Sequence, residues 1–436
     1  MRRERSEDVE KTMPNALERL RELPWFTLLK ARQFRRLWTG AGLSMLADQA
    51  FLVALTWLVL KVAGAGVELG AVLAVASIPG IIFMPIGGVI SDRYSPTPIL
   101  LLASVVRTLL LAGLAVLVLT DATELWHVYV LAGALSAMDA LYYPASMSAV
   151  PAVVDRDRLG AANASVQGAE QISGIAGPAI AASAVALAGL GSSFAMISLM
   201  FLVASAVFAS MLRATVIRTA EKTANVPTAK GEEDEDQQGA LSDLLSGMRY
   251  AWRDPVIRTI LLVLVGINAA MVGPLYVGGA TLAERELGGV GAFGTLVAAA
   301  SAGAVLGSLV AGSMPRVRRR GLAVLGLTAS LGLEVAALCL VYNLAAAIVL
   351  ALAIGASASY LGVINISWLQ ERSEPELTGR VMSLAVLASI ALDPISFALA
   401  GFLVEVNLRA TFVGAGTLLL ITATLGAASQ AMRVAD

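Results

Sequence analysis

Six ionisable side chains interrupt long apolar stretches of this 436-residue chain. They are Asp48, Arg107, Asp139, Glu170, Glu334 and Asp393. If these stretches cross a bilayer, an ionised side chain within one costs at least about 2.5 kcal/mol on insertion scales, so each needs a reason to be there. Five of the six are acids, and the single arginine neutralises only one carboxylate. Desolvation and neighbouring like charge both favour the protonated form of a carboxyl group, so excess acids of this kind are suited to carrying protons or pairing with a cation.

The composition identifies an integral membrane protein. Hydrophobic residues make up 57% of the chain, charged residues only 14%, and the mean hydropathy is +0.77. A soluble domain has about 25% charged residues. The single Cys and single His exclude a disulfide framework and an HExxH zinc site. We therefore expect no metal, no cofactor and no enzymatic activity, and no phosphate-binding GxxxxGK[ST] loop is present to bind ATP.

Apolar runs long enough to cross a bilayer, which takes about 20 residues, recur along the whole chain. The predicted spans are 38–62, 67–90, 98–120, 125–147, 159–188, 191–212, 256–283, 290–313, 321–342, 344–369, 377–404 and 408–430. The predicted fold is therefore an all-α membrane protein with twelve transmembrane helices in two six-helix pseudo-repeats. Such repeats are typical of transporters and place the substrate site near the middle of the membrane, between the halves.

Basic residues fix the expected orientation. With the N-terminus inside, 27 of the 31 lysines and arginines lie on the cytoplasmic side, three lie outside, and Arg107 lies within a span. Both termini are therefore predicted to be cytoplasmic.

The same pattern divides the chain into five segments. These are a cytoplasmic amphipathic N-terminal segment (1–36), an N-terminal bundle (37–212), a cytoplasmic linker (213–255), a C-terminal bundle (256–430) and a cytoplasmic tail (431–436). The linker contains the acidic run "GEEDEDQQG", which cannot form a core. It then continues into "ALSDLLSGMRYAWRDP", an amphipathic helical pattern typical of a membrane surface.

Four of the intramembrane charges are predicted to lie at one depth. At 1.5 Å per residue, Asp48, Arg107, Asp139 and Glu170 all lie roughly 10 to 15 Å from the cytoplasmic start of their spans. We expect them to form a proton-coupling network. An uncompensated arginine would be costly there, so Arg107 should pair with a carboxylate, Asp48 being the first choice and Asp139 the second.

Polar and aromatic residues inside other spans are candidates for substrate binding. They are Gln49, Tyr142, Tyr143, Gln167, Asn268, Tyr276, Asn365 and Trp368. Gln167 shares one helical face with Glu170, which favours contact with protein or water over lipid. Tyr142 and Tyr143 follow Asp139 by three and four residues, an arrangement that suits an amphipathic cation. Hydrogen bonding between helices and ordinary packing are the alternatives for these residues.

The stretch "GGVISDR" after the second span resembles the signature loop of the major facilitator superfamily, Gly-x-x-x-Asp-Arg followed by a glycine and a basic pair. Gly88, Asp92 and Arg93 match the pattern, whereas Ser95, Pro96 and Thr97 do not. The resemblance implies that Asp92 latches the two halves together by meeting the positive N-terminal end of the eleventh helix.

A closer resemblance extends over residues 34–430, through "FRRLWTGAGLSMLADQAF", "YYPASMSAVPAVV", "ANASVQGAEQISGIAGPAIA" and "LQERSEPELTGRVMSL". These stretches are similar to the macrolide-efflux and enterobactin-exporter branch of that superfamily. Asp48 and Arg107 stand where that branch has an acid in span one and an arginine in span three. Gly177 and Pro178 match the small-residue motif of antiporters in span five, where small side chains permit close helix packing. Together with Gly88, Asp92 and Arg93 they make up the predicted conformational latch.

The resemblance implies a proton-coupled exporter of small amphipathic compounds such as drugs, working by alternating access in a bacterial inner membrane. Its expected partners are the substrate, protons and membrane lipids, with no nucleic acid, and a monomer suffices. A lipid or lysophospholipid flippase and a siderophore exporter of the same fold are the alternatives. The excess of acids favours cationic or neutral substrates over an anionic siderophore.

Overall fold

The computed structural model describes residue 28 and residues 30–64, 66–155, 158–223, 248–313, 319–374, 377–429 and 432, apart from the side chains of residues 92 and 215–223. These residues fold into long helices joined by short turns. In chain order the helices are α1 Arg32–Ala63, α2 Gly66–Arg93, α3 Pro96–Leu119, α4 Leu125–Val153, α5 Leu159–Thr223, α6 Pro255–Leu287, α7 Val290–Ser313, α8 Arg320–Leu340, α9 Leu344–Arg372, α10 Thr378–Ile390 and α11 Asp393–Ala428. An α-helix satisfies its own backbone hydrogen bonds, which a bilayer core demands.

Most of the predicted spans correspond to long helices of the described residues. Nine stretches of the described residues are long and apolar enough to cross a membrane. Two of them contain a residue with non-helical backbone, Gly189 in α5 and Asn407 in α11, which divides each into two spans. The 29-residue helix α4 is a further segment of membrane-spanning length. The all-α class is confirmed. The breaks at Gly189 and Asn407 fall at two of the boundaries that the sequence predicts between adjacent spans.

The halves of the molecule, α1–α5 and α6–α11, meet through glycines. We call the end at which α1 begins the near face and the opposite end the far face. A Cβ atom on Gly70 of α2 would lie 2.7 Å from the Cα atom of Gly401 in α11, and one on Gly294 of α7 would lie 2.9 Å from the carbonyl oxygen of Pro178 in α5. Only glycine permits such approaches. Because all four residues lie towards the far face, the two halves are in contact there.

The predicted segment boundaries stay predictions. The N-terminal amphipathic pattern lies almost wholly outside the described residues, as does the acidic run of the linker. Residues 248–253 are helical, and Asp254 then caps α6 by accepting hydrogen bonds from the backbone N–H groups of Val256 and Ile257, at 2.8 and 3.2 Å. Asp254 also pairs with Arg372 at 2.8 Å, and this ion pair joins the start of α6 to the last turn of α9.

Candidate functional site

Three of the predicted proton-coupling residues meet in the N-terminal half. Arg107 of α3 donates a hydrogen bond through Nη2 to Oδ1 of Asp139 in α4, and its Nη1 lies 3.6 Å from Oδ2 of Asp48 in α1. We call Asp48, Arg107 and Asp139 the Arg107 cluster. The expected pairing of the arginine with an intramembrane acid is present, but Asp139 is the direct partner and Asp48 the more distant one.

The cluster is buried on one side and open on the other. The Arg107 side chain is 2% exposed, whereas those of Asp48 and Asp139 are 41% and 56% exposed. The guanidinium carbon lies 4.4 Å from the ring centre of Tyr142 and 5.4 Å from that of Phe201, distances typical of cation–π contacts. Tyr142, predicted to line the substrate path, is itself 4% exposed, so it packs against the arginine.

The charge count of the cluster determines its chemistry. Two carboxylates share one guanidinium, which cannot lose its proton in a protein. The fully ionised cluster carries one excess negative charge on the side that is open. One added proton or one cation neutralises it, and these two occupants exclude each other electrostatically.

Other predicted residues of the N-terminal half lie outside the cluster. Gln167 and Glu170 are exposed along one face of α5, and Tyr143 is 51% exposed and within electrostatic range of Glu170. Gln49, next to Asp48, lines a cavity described below. Their assignment to substrate binding and proton coupling stays a prediction.

The predicted latch residues separate into two groups. A Cβ atom on Gly177 would lie 2.6 Å from Cβ of Gln49, and the carbonyl of Pro178 faces Gly294, so this pair packs α5 against α1 and α7. Gly88 and Arg93 lie in the last turns of α2 at the near face, where Gly88 has open space around it and Arg93 is exposed. The Asp92 side chain is outside the described part of the structure.

The C-terminal half contains an open cavity of about 490 Å³ between α6, α9 and α10. We call it the C-terminal cavity. Asn268, Tyr276 and Asn365, all predicted to bind substrate, are in its wall. Trp368 is not: it is 3% exposed and packs in the hydrophobic core. The volume is within the range of small-molecule sites, roughly 300–1,000 Å³.

A second, smaller cavity of about 270 Å³ lies further towards the far face. Gln49 of α1 contributes to its wall together with α6, α7 and α9, so it reaches across both halves. Tyr276 lines both cavities and stands within a π-helical turn, Pro274–Gly278. Such turns are frequent at functional sites, and sequence reasoning missed this one although Pro274 within a predicted span is a signal for irregular helix.

The two remaining intramembrane acids have different surroundings. Oε1 of Glu334 in α8 accepts hydrogen bonds from Ser330 and from Ser357 of α9, at 2.9 and 2.8 Å, so this carboxylate bridges two helices. Asp393 begins α11 after the interruption that follows α10, and its Oδ1 is buried without a protein partner among the described residues.

A contact that sequence reasoning missed joins the halves at the far face. Oε1 of Glu405 in α11 accepts hydrogen bonds from the backbone N–H of Gly66, the first residue of α2, at 2.7 Å and from Nη2 of Arg285 at 2.8 Å. We call this contact the Glu405 clasp. The first N–H groups of a helix lack partners within the helix and carry partial positive charge, so a carboxylate there is stabilising.

Glu405→Ala should weaken the contact between the halves at the far face. Because Glu405 is 31% exposed, solvent screens the clasp, and we expect a bias of about 1 kcal/mol, or about fivefold in a two-state ratio. Spin labels at positions 61 and 340, in a Cys339→Ser background, would report a larger population of long distances.

Glu286→Ala is the matched control for this variant. It removes a far-face ion pair with Arg409, at 2.9 Å, that lies within the C-terminal half alone. Equal distance distributions in the two variants would show that Glu405 does not hold the halves together.

The sequence is similar to those of a family of membrane transporters. Residues 37–283 match the family described as Major Facilitator Superfamily. The multidrug efflux pump Tap of Mycolicibacterium fortuitum is 26% identical, with 92% of this chain and 96% of the relative covered. An uncharacterised MFS-type transporter of Sinorhizobium fredii is 25% identical, with 95% and 100% covered.

Solved structures share the fold at low sequence identity. A peptide transporter POT in complex with sulfate superposes with a TM-score of 0.70 at 13% identity, covering 91% of this chain and 94% of that one. A bacterial homologue of the human lysosomal transporter Spinster, in an inward-facing and occupied conformation, gives 0.67 at 10% identity, with 91% and 96% covered.

Proposed function

Since the chain belongs to the Major Facilitator Superfamily, and is therefore a multi-pass membrane transporter and not an enzyme, we propose that it exports small amphipathic compounds in exchange for protons. The observation that carries this proposal is the Arg107 cluster, in which two partly exposed carboxylates share one buried guanidinium. A proton and a cationic substrate compete for the same excess charge, and this competition is the basis of exchange. One proton exchanged for one monovalent cation moves no net charge, so the pH gradient alone drives that exchange. For a neutral substrate one net charge moves per cycle, and 100 mV then supplies about 2.3 kcal/mol.

The transport cycle we propose starts with the near face on the cytoplasmic side. The excess of lysine and arginine there supports this orientation. The far-face contacts between the halves then belong to an inward-facing state, which the Glu405 clasp stabilises. In the outward-facing state Asp92, at the near-face end of α2, holds the two halves together at the near face. It does so by interacting with the N-terminal end of α10, which begins at Thr378.

The proposed substrates are cationic or neutral and of drug size. The relative named multidrug efflux pump Tap supports this class. Asp48 and Asp139 would attract a cationic group, with Glu170, Gln167 and Tyr143 along the same half. The C-terminal cavity, with Asn268 and Tyr276 in its wall, would take the apolar part. The transporter would act as a monomer in the plasma membrane, surrounded by lipid.

Dye accumulation in energised everted membrane vesicles tests this function. Ethidium, an amphipathic cation, should accumulate in vesicles that contain the protein and leave when a protonophore collapses the gradient. Vesicles without the protein give the background. Accumulation that survives the protonophore would contradict proton coupling, and accumulation at the background level would contradict export of amphipathic cations.

A further inference from the structure

The wall of the C-terminal cavity contains a buried amide without a partner. Asn365 lies on α9, its exposed fraction is 0%, and neither Nδ2 nor Oδ1 makes a hydrogen bond within the described part of the protein. Buried polar groups in proteins are nearly always hydrogen-bonded, since burial removes their bonds to water. Because the exposed fraction is 0%, a ligand reaches this amide when the side chains that cover it move aside, and the ligand then supplies the missing hydrogen bonds.

The other polar side chains of the cavity wall are less suited to bind a ligand. One N–H of Nδ2 of Asn268 donates to the carbonyl of Leu264 at 3.0 Å, and Oγ of Ser389 donates to the carbonyl of Ala385 at 2.9 Å, so each side chain is held by a hydrogen bond within its own helix. The lining residues of the described chain include no charged side chain. The wall is therefore largely apolar. Besides Ser389, its polar side chains are Tyr276, Asn268 and Asn365, and Asn365 carries the one amide of the wall that makes no hydrogen bond within the described residues.

We infer that Asn365 is the anchor of a subsite for an uncharged amphipathic molecule that carries a carboxamide or lactam. An amide group presents a donor beside an acceptor, so it pairs with the donor and acceptor of Asn365 through two hydrogen bonds at once. The apolar remainder of the molecule packs on Met271 and Met382, whose flexible side chains adapt to different shapes. This inference rests on the proposed export function and names the substrate chemistry of its C-terminal cavity.

A matched pair of probes tests the inference with the purified full-length protein in lipid nanodiscs. The probes are N-dansyl-6-aminohexanamide and the methyl ketone of the same length, which replaces the amide nitrogen by a methyl group. Fluorescence titration should show the carboxamide binding about tenfold more tightly than the ketone, because only the carboxamide donates to Oδ1 of Asn365. Equal affinities in the wild-type protein would overturn the inference.

Variants then assign the preference to the residue. Asn365→Leu should bind the carboxamide no more tightly than the ketone, because the variant has neither the acceptor for the amide N–H nor the donor for the carbonyl oxygen that both probes carry. Ser367→Ala, on the exposed side of α9, should keep the tenfold preference. A preference that persists in folded Asn365→Leu would contradict the role of Asn365. If the leucine variant does not fold, the affinities of the wild-type protein for the carboxamide and the ketone still decide whether the protein prefers an amide.

The titration is independent of the proposed transport cycle, because it needs no proton gradient. A protein that discriminates between the probes but fails to accumulate ethidium would refute the export function and leave the amide subsite intact. A protein that exports ethidium but binds both probes equally would overturn the amide subsite and leave the export function intact.

Discussion

Asp48→Asn should abolish gradient-driven export while leaving a folded protein that still binds the dansyl carboxamide. Asparagine has nearly the size of a protonated aspartate but exchanges no proton. Asp48 is the carboxylate of the Arg107 cluster that makes no direct hydrogen bond to the arginine, and the variant removes it. Ethidium accumulation in everted vesicles should fall to that of vesicles without the protein. Thermal unfolding in detergent should remain near that of the wild type, because Asp48 is 41% exposed.

Asp121→Asn provides the control for this variant. Asp121 is exposed in the turn after α3 and has a positive φ of 53°, a conformation that asparagine also tolerates. It should export normally. Full gradient-driven export by Asp48→Asn would remove Asp48 from the coupling mechanism and leave Asp139 as the acid that cycles.

Arg107→Ala should have the largest effect on stability. Removing one partner of a buried charge pair costs roughly 3–5 kcal/mol, and we expect about 3 kcal/mol here because the two carboxylates are partly exposed. The variant also loses the ring contacts with Tyr142 and Phe201. A marked drop in the unfolding temperature and loss of export should follow.

Arg107→Lys separates charge from geometry. Lysine restores the positive charge but neither spans both acids nor stacks on a ring as a planar guanidinium does. It should recover most of the stability and part of the export. An alanine variant as stable as the wild type would show that the cluster does not need the arginine for its structure.

The approach of Arg107 to two acids was predictable because helix geometry fixes depth, although Glu170, predicted at the same depth, lies outside the cluster. Spans must start near the membrane surface and rise 1.5 Å per residue, so Asp48, Arg107 and Asp139 had to lie at one level. Which acid contacts the arginine depends on the rotation of each helix about its axis. The packing of neighbouring helices sets that rotation, for example where Gly177 of α5 contacts α1, and the local sequence does not predict it.

Other features depend on contacts that are remote in the chain. Glu405 lies at the end of a span, two residues before the break at Asn407, and its partner Gly66 is 339 positions away in the chain. Asn365 stood out as a polar residue in an apolar run. That its amide is unpaired while the Asn268 amide makes a hydrogen bond within its own helix follows only from the packed structure.

Proton movement driven by substrate tests the central claim most directly. Proteoliposomes loaded with ethidium and the pH dye pyranine, with equal pH on both sides, would be diluted into dye-free buffer. Exchange through the Arg107 cluster predicts that ethidium efflux acidifies the lumen in the wild-type protein and that the pH stays constant in Asp48→Asn. Ethidium efflux without acidification in the wild type, or the same acidification in Asp48→Asn, would contradict the account.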